Sequence, residues 1–221
     1  MAKIVPAYSG MLRSHAITVP TCINNCSGIR VFGRRIKSLV FTTDVAIIKN
    51  INADAILAVY PFTPQTSIAR SIIAISDVPV FVGVGGGLTT GTRSVQLAEQ
   101  AEQQGASGVV LNAPAANLVV SQIKAEIEIP IIVTVVSERA DIAARLRAGA
   151  DIINVSAGKK TAEVVAGIRA RYPDVAIIAT GGPTDESICE TINAGANAIT
   201  YVPPGSGDLF SAIMAQYREE E

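Results

Sequence analysis

From Lys37 onward the chain repeats one rhythm: a short apolar, β-branched run, a punctuation of Gly, Thr, Ser or Pro, then a stretch with helical spacing. The runs span residues 38–41, 55–60, 80–84, 108–112, 131–135, 152–155, 176–179 and 198–202, eight in all. None alternates apolar with polar positions, as a strand with one wet face does. A uniformly apolar run marks a strand buried on both sides, as in a parallel sheet covered by helices.

The punctuation fits the same picture. Thr63-Pro64 has the form of a helix start, with a capping hydroxyl followed by a proline at the first helical position. Thr184-Asp185-Glu186 sets a cap and two acids where the helix dipole favours negative charge. Helix exits recur as Asn52-Ala53-Asp54, Gly105-Ala106-Ser107, Gly149-Ala150-Asp151 and Gly195-Ala196-Asn197. Gly or Asn there can take the left-handed conformation that ends a helix. Eight such units predict an α/β fold, a closed (β/α)8 TIM barrel over residues 37–221, with an open doubly wound sheet as the alternative. Residues 1–36 fall outside the count and form an N-terminal arm. Within it, residues 29–32, Gly33 and 36–41 have the pattern of a hairpin leading into the first strand. The arm enters at the N-terminal end of that strand, so it is expected to cover the bottom of the barrel, the face that serves stability and association.

Composition narrows the class. Of the 221 residues, 49% are hydrophobic and 17% charged, enough to bury one large core. No unbroken apolar stretch is long enough for a membrane span, and no secretion signal opens the chain. Cys22, Cys26 and Cys189 are an odd, sparse set and read as reduced thiols of a cytoplasmic protein. Cys22-x-x-x-Cys26 has no second pair to complete a zinc site, so no metal is expected.

The net charge of −1 hides an asymmetry. The first 43 residues hold six basic side chains and no acid, while the remainder carries 12 basic and 19 acidic residues. Two readings follow: the arm docks on its own acidic barrel or on a second copy, or it offers an anion or nucleic-acid surface. Nucleic acid is the weaker reading, because Arg34-Arg35 is the one clear basic pair of the arm and no aromatic ladder interleaves it. Self-association through the arm, with Ile29, Val31, Phe32 and Ile36 supplying the buried area, is the expectation.

Chemistry in this fold belongs at the C-terminal ends of the strands. There the sequence places Asp44, Asn112, Lys159, the pair Gly181-Gly182 after Thr180, and Gly205-Ser206-Gly207. Gly181 and Gly182 let backbone N–H groups approach an anion, and a helix starting near Gly207 would add its dipole. This predicts a phosphate site at Thr180, Gly181, Gly182, Gly205, Ser206 and Gly207. Asp44 is the candidate general base, with a helix cap as the alternative. Lys159 could clamp a phosphate or polarise a carbonyl, and Asn112 could donate to the ligand. The run Gly83, Gly85, Gly86, Gly87 and Gly91 fails the dinucleotide spacing and reads as a ligand-covering loop around Gly86, or as a simple turn. Gly158-Lys159-Lys160-Thr161 lacks the upstream glycine of a P-loop. His15, the one histidine, lies in the arm and builds no triad. No cofactor is implied.

These residues resemble the phosphate-binding aldolase-type barrels, among them thiamine-phosphate synthases, sugar-phosphate epimerases and keto-deoxy-phosphogluconate aldolases. The resemblance rests on Ile177-Ile178-Ala179-Thr180-Gly181-Gly182, leading to Ala194-Gly195-Ala196-Asn197-Ala198, and on the βα rhythm from Lys37. Residues 38–50 more faintly resemble the glycerol-operon antiterminator barrels. The resemblance implies the fold and a small phosphorylated ligand. It does not extend to Schiff-base chemistry: strand six reads Asp151-Ile152-Ile153-Asn154-Val155, without the lysine. It also departs after strand eight, where Pro203-Pro204 precede Gly205. Three functions stay open: a lyase, isomerase or epimerase on a phosphorylated metabolite; a non-catalytic regulator that senses one; and a flavin-phosphate oxidoreductase.

Overall fold

The computed structural model describes Pro6, Gly10 and residues 17–220, so His15 lies outside the described residues. A hairpin of β1 (Ile29–Val31) and β2 (Arg34–Ile36) precedes eight parallel strands: β3 (Ser38–Phe41), β4 (Ala55–Ala58), β5 (Val80–Gly85), β6 (Gly108–Leu111), β7 (Ile131–Val135), β8 (Ile152–Val155), β9 (Ala176–Thr180) and β10 (Ala198–Tyr201). They close into a barrel with β10 paired to β3, so the open-sheet alternative falls. One helix follows each strand: α1 (Val45–Asn50), α2 (Thr66–Ile75), α3 (Thr92–Gln103), α4 (Asn117–Glu126), α5 (Ile142–Arg147), α6 (Thr161–Arg171), α7 (Asp185–Asn193) and α8 (Ser206–Glu220).

All eight expected strands form, with small shifts at their ends. β4 stops at Ala58 because Val59 N–H turns back to the Leu57 carbonyl. The helix expected from Thr63-Pro64 starts later, at Thr66, because Gln65 N–H donates to the Tyr60 hydroxyl at 2.7 Å and keeps the intervening residues in a loop. Gly105, Gly149 and Gly195 end their helices at φ of 92°, 107° and 108°, as the exit motif predicts. Asn52 does not adopt that conformation. Its Oδ1 instead accepts from Val19 N–H at 2.8 Å and anchors the arm.

The last residue of the exit motif has a second task. Asp54 accepts from Lys37 and Ser38 N–H at 2.8 and 3.0 Å, Asp151 from Ile131 N–H at 2.9 Å, and Asn197 from Ile177 N–H at 2.9 Å. Each side chain ties the start of its own strand to the start of the strand before it. A short acceptor at that place satisfies N–H groups that the ladder leaves unpaired.

Inward side chains from alternate strands share layers, as in other barrels of this type. The registers set Ala55, Gly108, Ile152 and Ala198 lowest, then Leu39, Phe81, Ile132 and Ile178. Beneath them the hairpin inserts Val31 and Ile36, which join the same interior cluster. The arm therefore closes the bottom of its own barrel. This corrects the expected basis of self-association: Val31 and Ile36 are already buried in their own chain, Ile29 is partly buried, and Phe32 at the hairpin tip remains 70% exposed.

Residues 17–27 run along the outside. Ile17 bridges to Ile51 after α1, and the 3-10 turn Thr21–Asn25 packs against α7. Ile23 and Cys26 join the outer core that holds Val40 of β3 and Ile199 of β10. In contrast, no described residue of α8 is buried. The arm thus takes the layer that the eighth helix would otherwise cover. Burial, together with a hydrogen bond to Cys189, pushes the Cys22 thiol up to about 11, and burial pushes Cys26 up to about 11. Among the described residues, no helix is long and apolar enough to cross a membrane.

Two outcomes follow. Ile36→Ala should lower stability by about 2–5 kcal/mol in urea unfolding, because it empties a site sealed between hairpin and barrel. Cys22 and Cys26 should alkylate slowly at neutral pH in the folded protein and faster as the pH nears about 11. Rapid labelling at neutral pH would contradict their protonated state.

Candidate functional site

The two upper layers of the barrel change character. The first of them holds Leu57, Val110, Asn154 and Thr200; the second holds Phe41, Gly83, Thr134 and Thr180. The half built by β3–β6 is apolar or lacks a side chain, while the half built by β7–β10 is polar and uncharged. Asn154 Nδ2 donates to Thr134 Oγ1 at 3.1 Å. Asn154 Oδ1 and Thr200 Oγ1 have no partner among the described residues, although the two residues are only 7% and 4% exposed. A buried polar atom without a hydrogen bond costs about 1–3 kcal/mol. A stable core has no reason to retain two of them in one layer.

Sequence reasoning missed Thr134, Asn154 and Thr200. The available signal was parity: each is an even step from an inward apolar residue, Ile132, Ile152 and Ala198. A polar residue at that parity near a strand's C-terminal end faces the barrel axis.

Above the polar half, a cavity of about 400 Å³ opens between the loops after β8 and β9. Lys159, Thr180, Gly181 and Gly182 all line it, together with Ser156, Ser187 and Glu190. Four of the residues expected at the ligand site therefore meet in one place. The glycines have structural reasons as well. A Cβ on Gly181 would lie 2.7 Å from Ile188 Cγ1, and Gly182 sits at φ +91° with its Cβ position 2.6 Å from Ser187 Oγ. That hydroxyl belongs to the capping box of α7, in which Thr184 accepts from Ser187 N–H at 3.3 Å. A substitution at Gly182 would thus disturb the helix cap along with any ligand.

Above the apolar half lies a smaller hollow of about 110 Å³, lined by Val59, Tyr60, Phe62, Gly83, Gly85, Leu88, Thr89 and Asn112. The missing side chain of Gly83 creates its floor. Asn112 is exposed here and its backbone receives Gly86: a Cβ on Gly86 would overlap the Asn112 main chain. Gly86 N–H is bonded to Thr89 O at 3.0 Å, and Asn112 N–H to Gly85 O at 3.0 Å. The glycine loop is a tight turn fastened to the end of β6.

Asp44 and the 205–207 turn form a third group, apart from both cavities. Asp44 Oδ1 caps α1 through Ala46 and Ile47 N–H at 2.9 and 3.3 Å, and its Oδ2 accepts from Ser206 N–H at 3.1 Å. Gly205 N–H donates to Asp208 Oδ2 at 3.1 Å. The donors expected to hold phosphate at Gly205 and Ser206 already meet carboxylates of the same chain. The Ser206 hydroxyl and N–H, with the N–H groups of Ile47 and Ala46, hold the Asp44 carboxyl below its ordinary range, against the opposing effect of partial burial. Asp44 is a latch between α1 and α8. Gly207 lies in the first turn of α8 and lines neither cavity. Among the described residues, no three His, Cys, Asp or Glu side chains converge to hold a metal.

No family model matches this chain, and none of the curated proteins compared with it matches. Solved structures do. Phosphonopyruvate hydrolase in complex with oxalate and Mg superposes with a TM-score of 0.61 at 14% identity, covering 83% of this chain and 80% of that one. Phosphoenolpyruvate phosphomutase from Streptomyces platensis subsp. rosaceus gives 0.60 at 14%, covering 82% and 80%. The aldolase QR15 gives 0.58 at 17%, covering 83% and 96%. At these identities the likeness is one of fold, and it agrees with the closed (β/α)8 barrel that the strand pairing shows.

The latch makes a prediction. Asp44→Ala should cost about 0.5–2 kcal/mol and raise hydrogen exchange at the start of α8. Because the folded pKa lies below the unfolded one, the latch stabilises fully above the ordinary carboxylate range. That contribution is lost as pH falls through the lowered folded value. The variant should lose this part of the acid dependence; an unchanged acid limb would remove the latch.

Proposed function

We propose that this protein is a (β/α)8-barrel enzyme of the lyase, isomerase or epimerase type, acting on a phosphorylated metabolite whose phosphate lies against Lys159, Thr180, Gly181 and Gly182. One observation carries the reading: these four residues, from the C-terminal ends of two different strands and the loops after them, line a single cavity at the catalytic end of the barrel. Lys159 is exposed on a short 3-10 turn (Gly158–Lys160). Its flexible stem lets the ammonium follow a phosphate or reach a carbonyl. Glu190 shares the cavity, so the phosphate belongs on the Lys159 side.

Asp44 enters this reading as a positioning residue and not as the base. Lys159, Tyr60 and Glu190 are the groups beside the two cavities that can hold or move a proton. The Tyr60 oxygen accepts from Gln65, which leaves its own proton free to point elsewhere. Asn112, at the edge of the apolar hollow, is the remaining donor toward the ligand.

A second reading, a non-catalytic sensor of the same ligand, is favoured by the occupation of Asp44 as a cap. The two part on proton exchange: a lyase, isomerase or epimerase that works through an enolate moves deuterium from D2O into a bound carbonyl-bearing phosphoester, and a sensor does not.

Lys159→Met should weaken binding of inorganic phosphate and of phosphomonoesters at least about tenfold by calorimetry, equivalent to about 1.4 kcal/mol. Unchanged affinity would move the anion seat elsewhere. Gly182 is a poorer probe, since its replacement also strains the α7 cap.

A further inference from the structure

We propose that Asn154 and Thr200 form a subsite inside the barrel that receives an uncharged hydroxyl group of the ligand, a proposal that rests on the phosphorylated-ligand reading above. The two residues occupy the same layer, and each has an unpaired polar atom although it is almost fully buried. The positions in that layer on the other half of the barrel are Leu57 and Val110, so an apolar layer is sterically feasible there. Ser94 Oγ and Gln104 Oε1 are also unpaired, but Asn154 and Thr200 are the pair that shares one layer around the barrel axis.

The chemistry of the pair selects its occupant. Asn154 Nδ2 is engaged by Thr134, which leaves Oδ1 as an acceptor. The Thr200 hydroxyl can donate or accept. A ligand hydroxyl donates to Asn154 Oδ1 and accepts from Thr200, completing both. Exchanging the amide O and N of Asn154 turns the free atom into a donor, and a hydroxyl still serves both partners. A carboxylate does not fit in either orientation of the amide, because among the described residues every buried polar side chain is uncharged and none supplies a cation. Burying an anion without a cation is strongly unfavourable. The two ends of the ligand are therefore sorted by the barrel itself, the phosphate to Lys159 outside and a neutral hydroxyl to the polar layer within.

Three phosphoesters of matched four-carbon length test this: erythritol 4-phosphate, butyl phosphate and 4-phosphoerythronate. Calorimetry on the full chain should show erythritol 4-phosphate binding at least about tenfold tighter than either of the others. Thr200→Val, nearly identical in shape, should bring erythritol 4-phosphate down to the affinity of butyl phosphate and leave butyl phosphate unchanged. The same variant should melt no lower than the parent, since it removes an unpaired buried hydroxyl. Equal binding of erythritol 4-phosphate and butyl phosphate would overturn the subsite. So would an equal loss of both in Thr200→Val, or a clearly lowered melting temperature. If Lys159→Met leaves all three affinities unchanged, the phosphate reading itself falls. If the parent binds none of the three, both fall.

Discussion

Closure of the sheet between β10 and β3 is the contact on which the rest of this protein depends. Eight parallel strands have unpaired edges until the last meets the first, and only then do their inward side chains form layers around one axis. The seam is reinforced at its base. Ile199 N–H donates to Lys37 O at 2.9 Å, Asp54 holds the N–H groups of Lys37 and Ser38, and Ser38 Oγ accepts from Asp54 N–H at 2.9 Å. The same acceptor position recurs at Asp151 and Asn197, so one local device fastens three strand starts. With the bottom held this tightly and plugged by Val31 and Ile36, access to the barrel axis is confined to the top.

That confinement gives the mouth its two-sided character. Once β3–β6 and β7–β10 face each other across the axis, residues that are far apart in the chain become opposite walls. One wall is Leu57, Val110 and the bare backbone of Gly83. The other is Thr134, Asn154, Thr180 and Thr200. The cavities above repeat the division, with Tyr60, Phe62 and Leu88 on one side and Lys159 with the Thr180–Gly182 turn on the other. A ligand with a charged end, a neutral polar part and an apolar flank matches this division.

The arm and the last helix have exchanged customary places. Residues 17–27 run from the end of α1 to α7 and add Ile23 and Cys26 to the outer core, while α8 is tethered at its first turn by Asp44 and buries none of its described residues. Asp44 therefore links three things at once: the start of α1, the start of α8 and the turn that carries Pro203 to Gly207. A carboxylate at the end of the first barrel strand looks catalytic by position, yet the N–H groups around it define a capping role.

The amino-acid sequence by itself determined the architecture. Eight doubly buried strands, the glycine exits and the hairpin before Lys37 are local patterns, and each follows from which side chains can be buried or which residues can leave a helix. It also named four of the residues that line the larger cavity, because Lys159 and Thr180–Gly182 stand where strand ends must be. What only the tertiary structure decided was partnership. Whether Asp44 meets a ligand or a helix N-terminus depends on where residue 206 falls, 162 positions away. Whether Ile36 faces a second copy or its own barrel depends on the closed bottom. Asn154 and Thr200 are single polar letters in apolar runs. Their meaning appears only when the stagger of the closed barrel sets them in one layer with nothing to bond.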